Sequence, residues 1–161
     1  MASGPRLAVV GVGLIGGSIG LAARERLGAR VSGYDPRDGV LAAALERGAL
    51  DTACGSPAEA LDGASAAFVA APVGVLPAVV AEVLALARED CVVSDAGSTK
   101  RSVVAAVDDP RFIGGHPLAG AETAGVEHAR GDLFAGATWY LTPTARTARA
   151  GARPRRDPSL R

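Results

Sequence analysis

Several things are scarce in this sequence, and each scarcity excludes a class of protein. Cysteine occurs twice in 161 residues, as Cys54 and Cys91, a spacing that fits neither zinc ligands nor a disulfide framework. Both stand in apolar contexts typical of buried thiols, so a reducing cytoplasm is the expected setting. There is no surplus of charge: 17 basic side chains balance 17 acidic ones, which gives no global pull toward nucleic acid or anionic lipid. No apolar run is long enough for a membrane span. Leu7 to Ala23 is uncharged and follows Arg6, but five glycines dilute it and it sits at the short limit for a span, so both the signal-peptide and the membrane readings are rejected. The Gly16-x-x-x-Gly20 spacing of membrane helix dimers carries little weight without a longer apolar run. What remains, at 48% apolar and 21% charged residues, is the profile of a soluble globular protein with enough chain for one sizeable core.

Lysine is almost absent as well. Lys100 stands against 16 arginines, a bias that, with abundant Ala and Gly, suggests a GC-rich coding sequence. Charge is unevenly spread along the chain: residues 1–143 hold 11 basic and 16 acidic groups, whereas 144–161 hold six arginines and one aspartate. The chain therefore divides into a body, 1–143, and an Arg-rich tail, TARTARAGARPRRDPSLR. Pro154 and Pro158 interrupt any helix there and apolar periodicity is nearly lost, so the tail is expected to be disordered. Out-of-frame translation, a cut gene, a solvated tail and a nucleic-acid arm all fit its composition. With no aromatic residues among the arginines, the solvated tail is favoured over the arm.

The body opens on a strand, a glycine turn and a helix. Leu7 to Val10 is a short β-favouring run, Gly11-Val-Gly13-Leu-Ile-Gly16 follows at once, and the helical stretch it opens ends near Leu27-Gly28. A second strand, Arg30 to Tyr34, stops at Asp35. This is a βαβ unit carrying the dinucleotide fingerprint. Gly11 allows the tight turn, Gly13 lets the backbone approach a pyrophosphate, and Gly16 lets the helix pack on the strand, so that phosphates meet the amide-rich helix N-terminus. Leu14 and Ile15 lie between those glycines and belong to the same cofactor-binding turn. Asp35, 19 residues beyond Gly16, can accept both ribose hydroxyls of an adenosine and would repel a 2′-phosphate. That ranks NAD⁺ first, although Arg37 leaves room for a 2′-phosphate if its side chain swings toward the ribose.

Downstream the alternation continues. Asp38 to Arg47 has helical composition, Asp51 to Cys54 is a short strand, and Ser56-Pro-Ala-Glu59 is a capping box with proline at the first helical position. Ala66 to Ala70 is the next buried strand, followed by a helix up to Ala87 with Val75, Val79, Val83 and Leu86 at helical spacing. Cys91 to Ser94, Thr99 to Val107, Phe112 to Gly114 and Thr138 to Leu141 follow as strand, helix, strand and strand. The expected fold is a doubly wound, Rossmann-type α/β domain with a mainly parallel sheet.

Ligands of such sheets bind beyond the carboxyl ends of the strands. Ala71-Pro72-Val73 follows the fourth strand and is expected beside the cofactor ribose, with a plain helix start as an equal alternative. Asp95-Ala-Gly-Ser98-Thr-Lys100 follows the fifth, where a serine is more often a helix cap than a catalyst. Gly114-Gly115-His116-Pro117 is expected to be the loop after the sixth. Pro117 biases His116 toward an extended backbone, and the glycines clear space for a ligand. An imidazole aimed at a site there suits proton acceptance near neutrality. His128, in a polar stretch, reads as structural or solvated. No residue group suggests a metal site.

Taken together, Gly11-Val-Gly-Leu-Ile-Gly-Gly-Ser-Ile-Gly20, Gly33-Tyr-Asp35, Ser94-Asp-Ala-Gly-Ser-Thr-Lys100, Gly114-Gly-His-Pro-Leu-Ala-Gly-Ala-Glu122 and Leu133-Phe134 resemble the N-terminal half of the prephenate and arogenate dehydrogenases, over roughly residues 6–143. The resemblance implies oxidative decarboxylation of prephenate to 4-hydroxyphenylpyruvate, on the route to tyrosine, with NAD⁺ taking the hydride. It implies that His116 is the base for the ring hydroxyl, that Ser98 orients the hydroxyl or His116, and that Lys100 and Glu122 have supporting roles. Members of that family continue with a helical domain that forms the dimer and supplies an arginine to the substrate carboxylates, and nothing here matches it. The expectation is thus a truncated dehydrogenase acting on prephenate or arogenate, with a non-catalytic NAD-binding module as the alternative.

Overall fold

The computed structural model describes residues 4–147. Seven strands form one sheet in the order β3-β2-β1-β4-β5-β6-β7. They are β1 (Arg6–Val10), β2 (Arg30–Tyr34), β3 (Thr52–Ala53), β4 (Ala66–Val69), β5 (Val92–Asp95), β6 (Phe112–Pro117) and β7 (Trp139–Pro143). All neighbours pair in parallel except β6 and β7, which are antiparallel. The helices are α1 (Leu14–Leu27), α2 (Val40–Glu46), α3 (Pro57–Leu61), α4 (Leu76–Leu86) and α5 (Arg101–Ala106), with a 3₁₀ turn at Val126–His128. This is the expected doubly wound α/β architecture, and the strand order reverses between β1 and β4.

The two-residue period of β1 sorts its side chains onto the two faces of the sheet. Leu7 and Val9 join Val12, Ile19, Ala23, Val31, Ala44 and Leu50 beneath α1 and α2. Ala8 and Val10 join Val69, Val80, Val83, Val93, Val103 and Phe112 beneath α3, α4 and α5. Fully burying a side chain of the Val or Phe kind contributes about 1.5–3 kcal/mol, so these two layers hold the sheet. The buried face of α1 is built of Gly16, Gly17, Ser18, Ile19, Gly20 and Ala23, small residues that let the helix lie close on the strands.

Helix α4 departs from the expected stripe. Its buried residues are Leu76, Val80, Val83 and Leu84, while Val75 and Leu86 are exposed. Val75 becomes the N-cap and lies outside the helix, which shifts the core face by one position. Helix α2 starts only at Val40 because Gly39 adopts a left-handed φ of 76° and interrupts any helix running from Asp38.

Ordered structure runs past the expected boundary at 143. Thr144 is buried, and its hydroxyl accepts the N–H of Thr147 at 3.1 Å to open a helical turn. The rest of the tail expected to be disordered, 148–161, lies outside the described residues. Beyond α1, the face of the sheet toward β7 is apolar and open: Leu27, Phe68, Phe134, Trp139 and Leu141 line a shallow cleft of about 430 Å³. Among the described residues no helix is long and apolar enough to cross a membrane.

Candidate cofactor and active site

The turn from β1 into α1 is made by backbone alone. Gly11 takes φ +89°, and a Cβ there would stand 2.7 Å from the carbonyl oxygen of Ala70, so the turn touches the end of β4 backbone to backbone. Only glycine satisfies both conditions. Helix α1 begins with Gly13 as its N-cap, no side chain caps it, and no acidic residue sits in its first turn. Its leading amides and the positive end of its dipole therefore face the cleft. A Cβ on Gly16 would collide with the Gly11 carbonyl, so this glycine sets helix-to-turn packing and does not line the groove.

Asp35 follows β2 with its side chain 1% exposed. Its Oδ2 accepts the Val12 N–H at 2.8 Å, and its Oδ1 accepts the Arg37 N–H at 3.0 Å. The Arg37 guanidinium adds Nε to Oδ1 at 2.9 Å and Nη2 to Oδ2 at 2.7 Å. Burial pushes the carboxyl up, but the Arg37 guanidinium and the two backbone N–H donors together hold it below the usual carboxylate range. Asp35 lines a groove of about 720 Å³ with Gly11, Gly13, Leu14, Ile15, Ala71 and Pro72, and Tyr34, Val75 and Glu82 continue it.

A second cavity, of about 360 Å³, adjoins the first along a wall of Leu14, Ile15, Ala70, Ala71 and Pro72 common to both. Among the described residues, Ser98 and His116 are the polar side chains lining it, and no lysine or arginine does. Ser98 is not a helix cap: α5 begins at Arg101 with Lys100 as its N-cap. The structure also corrects the expected loop at His116. Gly114-Gly115-His116-Pro117 lies on β6, where His116 pairs with Tyr140 and Pro117 with Trp139. The antiparallel return of β7 supplies backbone partners that extend the strand, and Pro117, which lacks an N–H, sits at its end.

One residue central to this corner was not singled out from the sequence. Asp95, the last residue of β5, is fully buried. Its Oδ2 accepts the Gly97 N–H at 2.9 Å and pairs with Lys100 Nζ, and its Oδ1 accepts the Gly115 N–H at 3.1 Å. Lys100 Nζ also donates to the Gly97 carbonyl at 2.7 Å. This carboxylate ties the turn carrying Ser98 to the strand carrying His116. A Cβ on Gly115 would lie 2.5 Å from the Asp95 carbonyl oxygen, so the close approach of the two strands requires glycine there. The available signal was an acidic residue ending a buried strand with a lysine five positions on. Glu122 is exposed.

The segment between β6 and β7, for which no helix or strand is expected before Thr138, roofs the groove. Thr123, Ala124 and Gly125 line the groove. Val126 packs in the α1 core layer, and the Ser18 hydroxyl, buried on α1, accepts the Arg130 N–H at 3.0 Å. His128 is exposed on the 3₁₀ turn.

Comparison with known proteins places this geometry in a family. Residues 19–151 match the family model described as "Prephenate dehydrogenase, nucleotide-binding domain". A prephenate dehydrogenase of Bacillus subtilis is 36% identical over 146 residues, which are 86% of this chain and 39% of the relative. A solved prephenate dehydrogenase from A. aeolicus, in complex with hydroxyphenyl propionate and NAD⁺, superposes with a TM-score of 0.81 at 29% identity, over 93% of this chain and 56% of the other. The arogenate dehydrogenase of Synechocystis superposes at 0.79, also at 29% identity, over 88% and 51% of the two chains. The chain spans about two-fifths of the length of the curated prephenate dehydrogenases it matches.

Proposed function

The chain belongs to the prephenate dehydrogenase family, matching its nucleotide-binding domain, and on that premise we propose that it binds NAD⁺ and carries the proton-accepting side of the oxidative decarboxylation of prephenate, with arogenate as the alternative substrate. The observation that carries this reading is the continuous cleft. An uncapped helix N-terminus and Asp35 lie at one end, Ser98 and His116 at the other, and a wall of Leu14, Ile15, Ala70, Ala71 and Pro72 joins them.

The groove fits a dinucleotide. Gly11 and Gly13 present backbone where a side chain would block the pyrophosphate, the leading amides of α1 face it, and Asp35 stands where ribose hydroxyls would be held. When bound, NAD⁺ supplies the hydride acceptor. His116 accepts the proton of the ring hydroxyl as its C–O bond becomes a carbonyl, and Ser98 hydrogen-bonds the hydroxyl or the imidazole to hold the geometry. Loss of the ring carboxylate leaves an aromatic product. The two buried free thiols, Cys54 and Cys91, fit a cytoplasmic setting.

Among the described residues the smaller cavity has no cationic side chain, so the two carboxylates of prephenate would find no positive partner among them. We expect the chain to bind NAD⁺ yet turn prephenate over far more slowly than the ordinary range of roughly 1–10³ s⁻¹. The same observation favours the second reading, a dinucleotide-binding module without turnover. Calorimetric titration with NAD⁺ and NADH production at saturating prephenate test both. Absence of NAD⁺ binding overturns the cofactor assignment, and a kcat in the ordinary range overturns the expected lack of a carboxylate clamp. In a chimera carrying the remaining length of the B. subtilis relative, His116→Asn should keep NAD⁺ affinity and lose about 10²–10⁴-fold in kcat, with a smaller loss for Ser98→Ala. An asparagine variant at the parental rate returns His116 to a structural role.

A further inference from the structure

The acidic residue that marks the ribose end of the groove is already occupied. Each oxygen of Asp35 accepts one backbone N–H and one guanidinium N–H of Arg37, which leaves its 1%-exposed carboxylate no outward-facing lone pair for a sugar. The Arg37 side chain is 59% exposed and reaches over the glycine turn: a Cβ placed on Gly13 would lie 3.7 Å from its Nη2. The guanidinium therefore lies across the groove wall between the turn that would face the pyrophosphate and the carboxylate that would face the ribose. Glu127, on the 3₁₀ turn that roofs the groove, adds a longer-range attraction to it.

Building on the dinucleotide reading above, we propose that Arg37 is the cofactor-selecting residue of this chain, screening Asp35 so that the groove admits a dinucleotide bearing a 2′-phosphate as well as one bearing a 2′-hydroxyl. Two binding modes follow from the one side chain. A 2′-hydroxyl reaches Asp35 only after the fork releases one or both carboxylate oxygens, so NAD⁺ binds against a competing ion pair. A 2′-phosphate meets the guanidinium instead, in the planar two-donor geometry that suits phosphate oxygens, while Arg37 neutralises the carboxylate that would otherwise repel it. The guanidinium is more than half in solvent and the freed carboxylate keeps its two backbone N–H donors, so a 2′-hydroxyl can take the place of the guanidinium and NAD⁺ remains the tighter ligand.

Removing the side chain should move the two cofactors in opposite directions, which no loss of general affinity can do. Wild-type chain and Arg37→Ala are titrated calorimetrically with NAD⁺ and with NADP⁺, at low salt and again with added salt, after thermal unfolding shows both to be folded. In wild type both dinucleotides bind, NAD⁺ tighter by less than about tenfold. In Arg37→Ala, NAD⁺ tightens by about three- to fivefold, the size of a competing ion pair whose guanidinium lies mostly in solvent. NADP⁺ weakens by roughly tenfold or more, the size of a lost charge-assisted phosphate contact, and loses most of its salt dependence. The proposal is overturned if both cofactors weaken alike, if neither changes, or if the wild-type chain binds NAD⁺ and no NADP⁺. A wild-type chain that binds neither dinucleotide overturns the cofactor reading itself and this proposal with it.

Discussion

Replacing Lys100 by methionine preserves the length of the side chain and removes its charge. In the native chain Lys100 Nζ pairs with Asp95, and the two side chains are 14% and 0% exposed. Without the ammonium, the Asp95 carboxylate keeps only the backbone N–H groups of Gly97 and Gly115, at 2.9 and 3.1 Å. Breaking a buried pair from one side costs about 3–5 kcal/mol, because a charge is left without its partner in a medium that cannot solvate it. The two remaining donors and the partial exposure of Lys100 put this case near the lower end, at about 3 kcal/mol. A domain of this size loses roughly 2–4 °C of melting temperature per kcal/mol, so Tm should fall by roughly 6–12 °C. Arg88→Ala is the control. It breaks the Arg88–Asp90 pair, whose side chains are 63% and 69% exposed, and should leave Tm almost unchanged because solvent screens that pair. Urea and thermal unfolding can be followed by the fluorescence of the single tryptophan, Trp139, whose ring centroid lies 5.1 Å from that of Phe134. Salt screens exposed pairs far more than buried ones, so the deficit of the Lys100 variant should persist at about 1 M NaCl. A Lys100→Met chain within about 1 kcal/mol of wild type, or one whose deficit vanishes in salt, would refute the reasoning.

Gly115→Ala should destabilise the chain by about 1–3 kcal/mol and alter Trp139 emission, because the new methyl would stand 2.5 Å from the Asp95 carbonyl oxygen and 2.8 Å from Trp139 Nε1. Gly120→Ala, where a Cβ meets nothing within 4 Å, should stay within about 0.5 kcal/mol of wild type, and equal effects in the two variants would show that strand proximity is not what demands glycine. The Asp109 carboxyl is held below the usual carboxylate range by the Arg111 guanidinium hydrogen bond, against an opposing push from burial. A carboxyl depressed in the folded state adds stability that is full above its unfolded pKa and lost as pH falls through its lower folded value. Asp109→Asn should therefore lower Tm at pH 7 and match wild type once the pH is below that folded value, and a gap that stayed constant into acid would contradict the pairing.

What could be read in advance divides by how local its cause is. The turn at Gly11, the uncapped start of α1 and the carboxylate after β2 follow from residues within one βαβ unit, and they lie where glycine sterics and strand ends require. The Ser56 cap is similarly local: its hydroxyl accepts the Glu59 N–H at 3.2 Å, although the Glu59 carboxylate bonds Gly55 N–H rather than that of Ser56. The full length of β6 was not legible, because it depends on pairing with β7 across an intervening segment of more than twenty residues. Asp95 was not legible for a related reason. Its donors come from Gly97, Lys100 and Gly115, and only the last shows why an acid can be buried between two strands. Helix α5 started late through the same residue: Lys100, expected inside the helix, is drawn inward to Asp95 and becomes its cap.

The two halves of the cleft are held by different means, and this decides how each responds to change. The cofactor half is an arrangement of backbone: Gly11 against Ala70, and α1 against the glycine turn. Most of its side chains can vary while the amides remain. The half containing Ser98 and His116 depends on one carboxylate, since Asp95 holds the turn of one residue and the strand of the other. Between them stands a wall of Ala70, Ala71 and Pro72, which comes from the end of β4, the strand beside the reversal in sheet order. On the proposed reading a ligand spanning both cavities crosses at this point, where the strand contributes small side chains. A bulky side chain at Ala71 would separate the groove from the imidazole while leaving Asp35, Ser98 and His116 untouched, so the geometry that joins the two cavities resides in residues with no chemistry of their own.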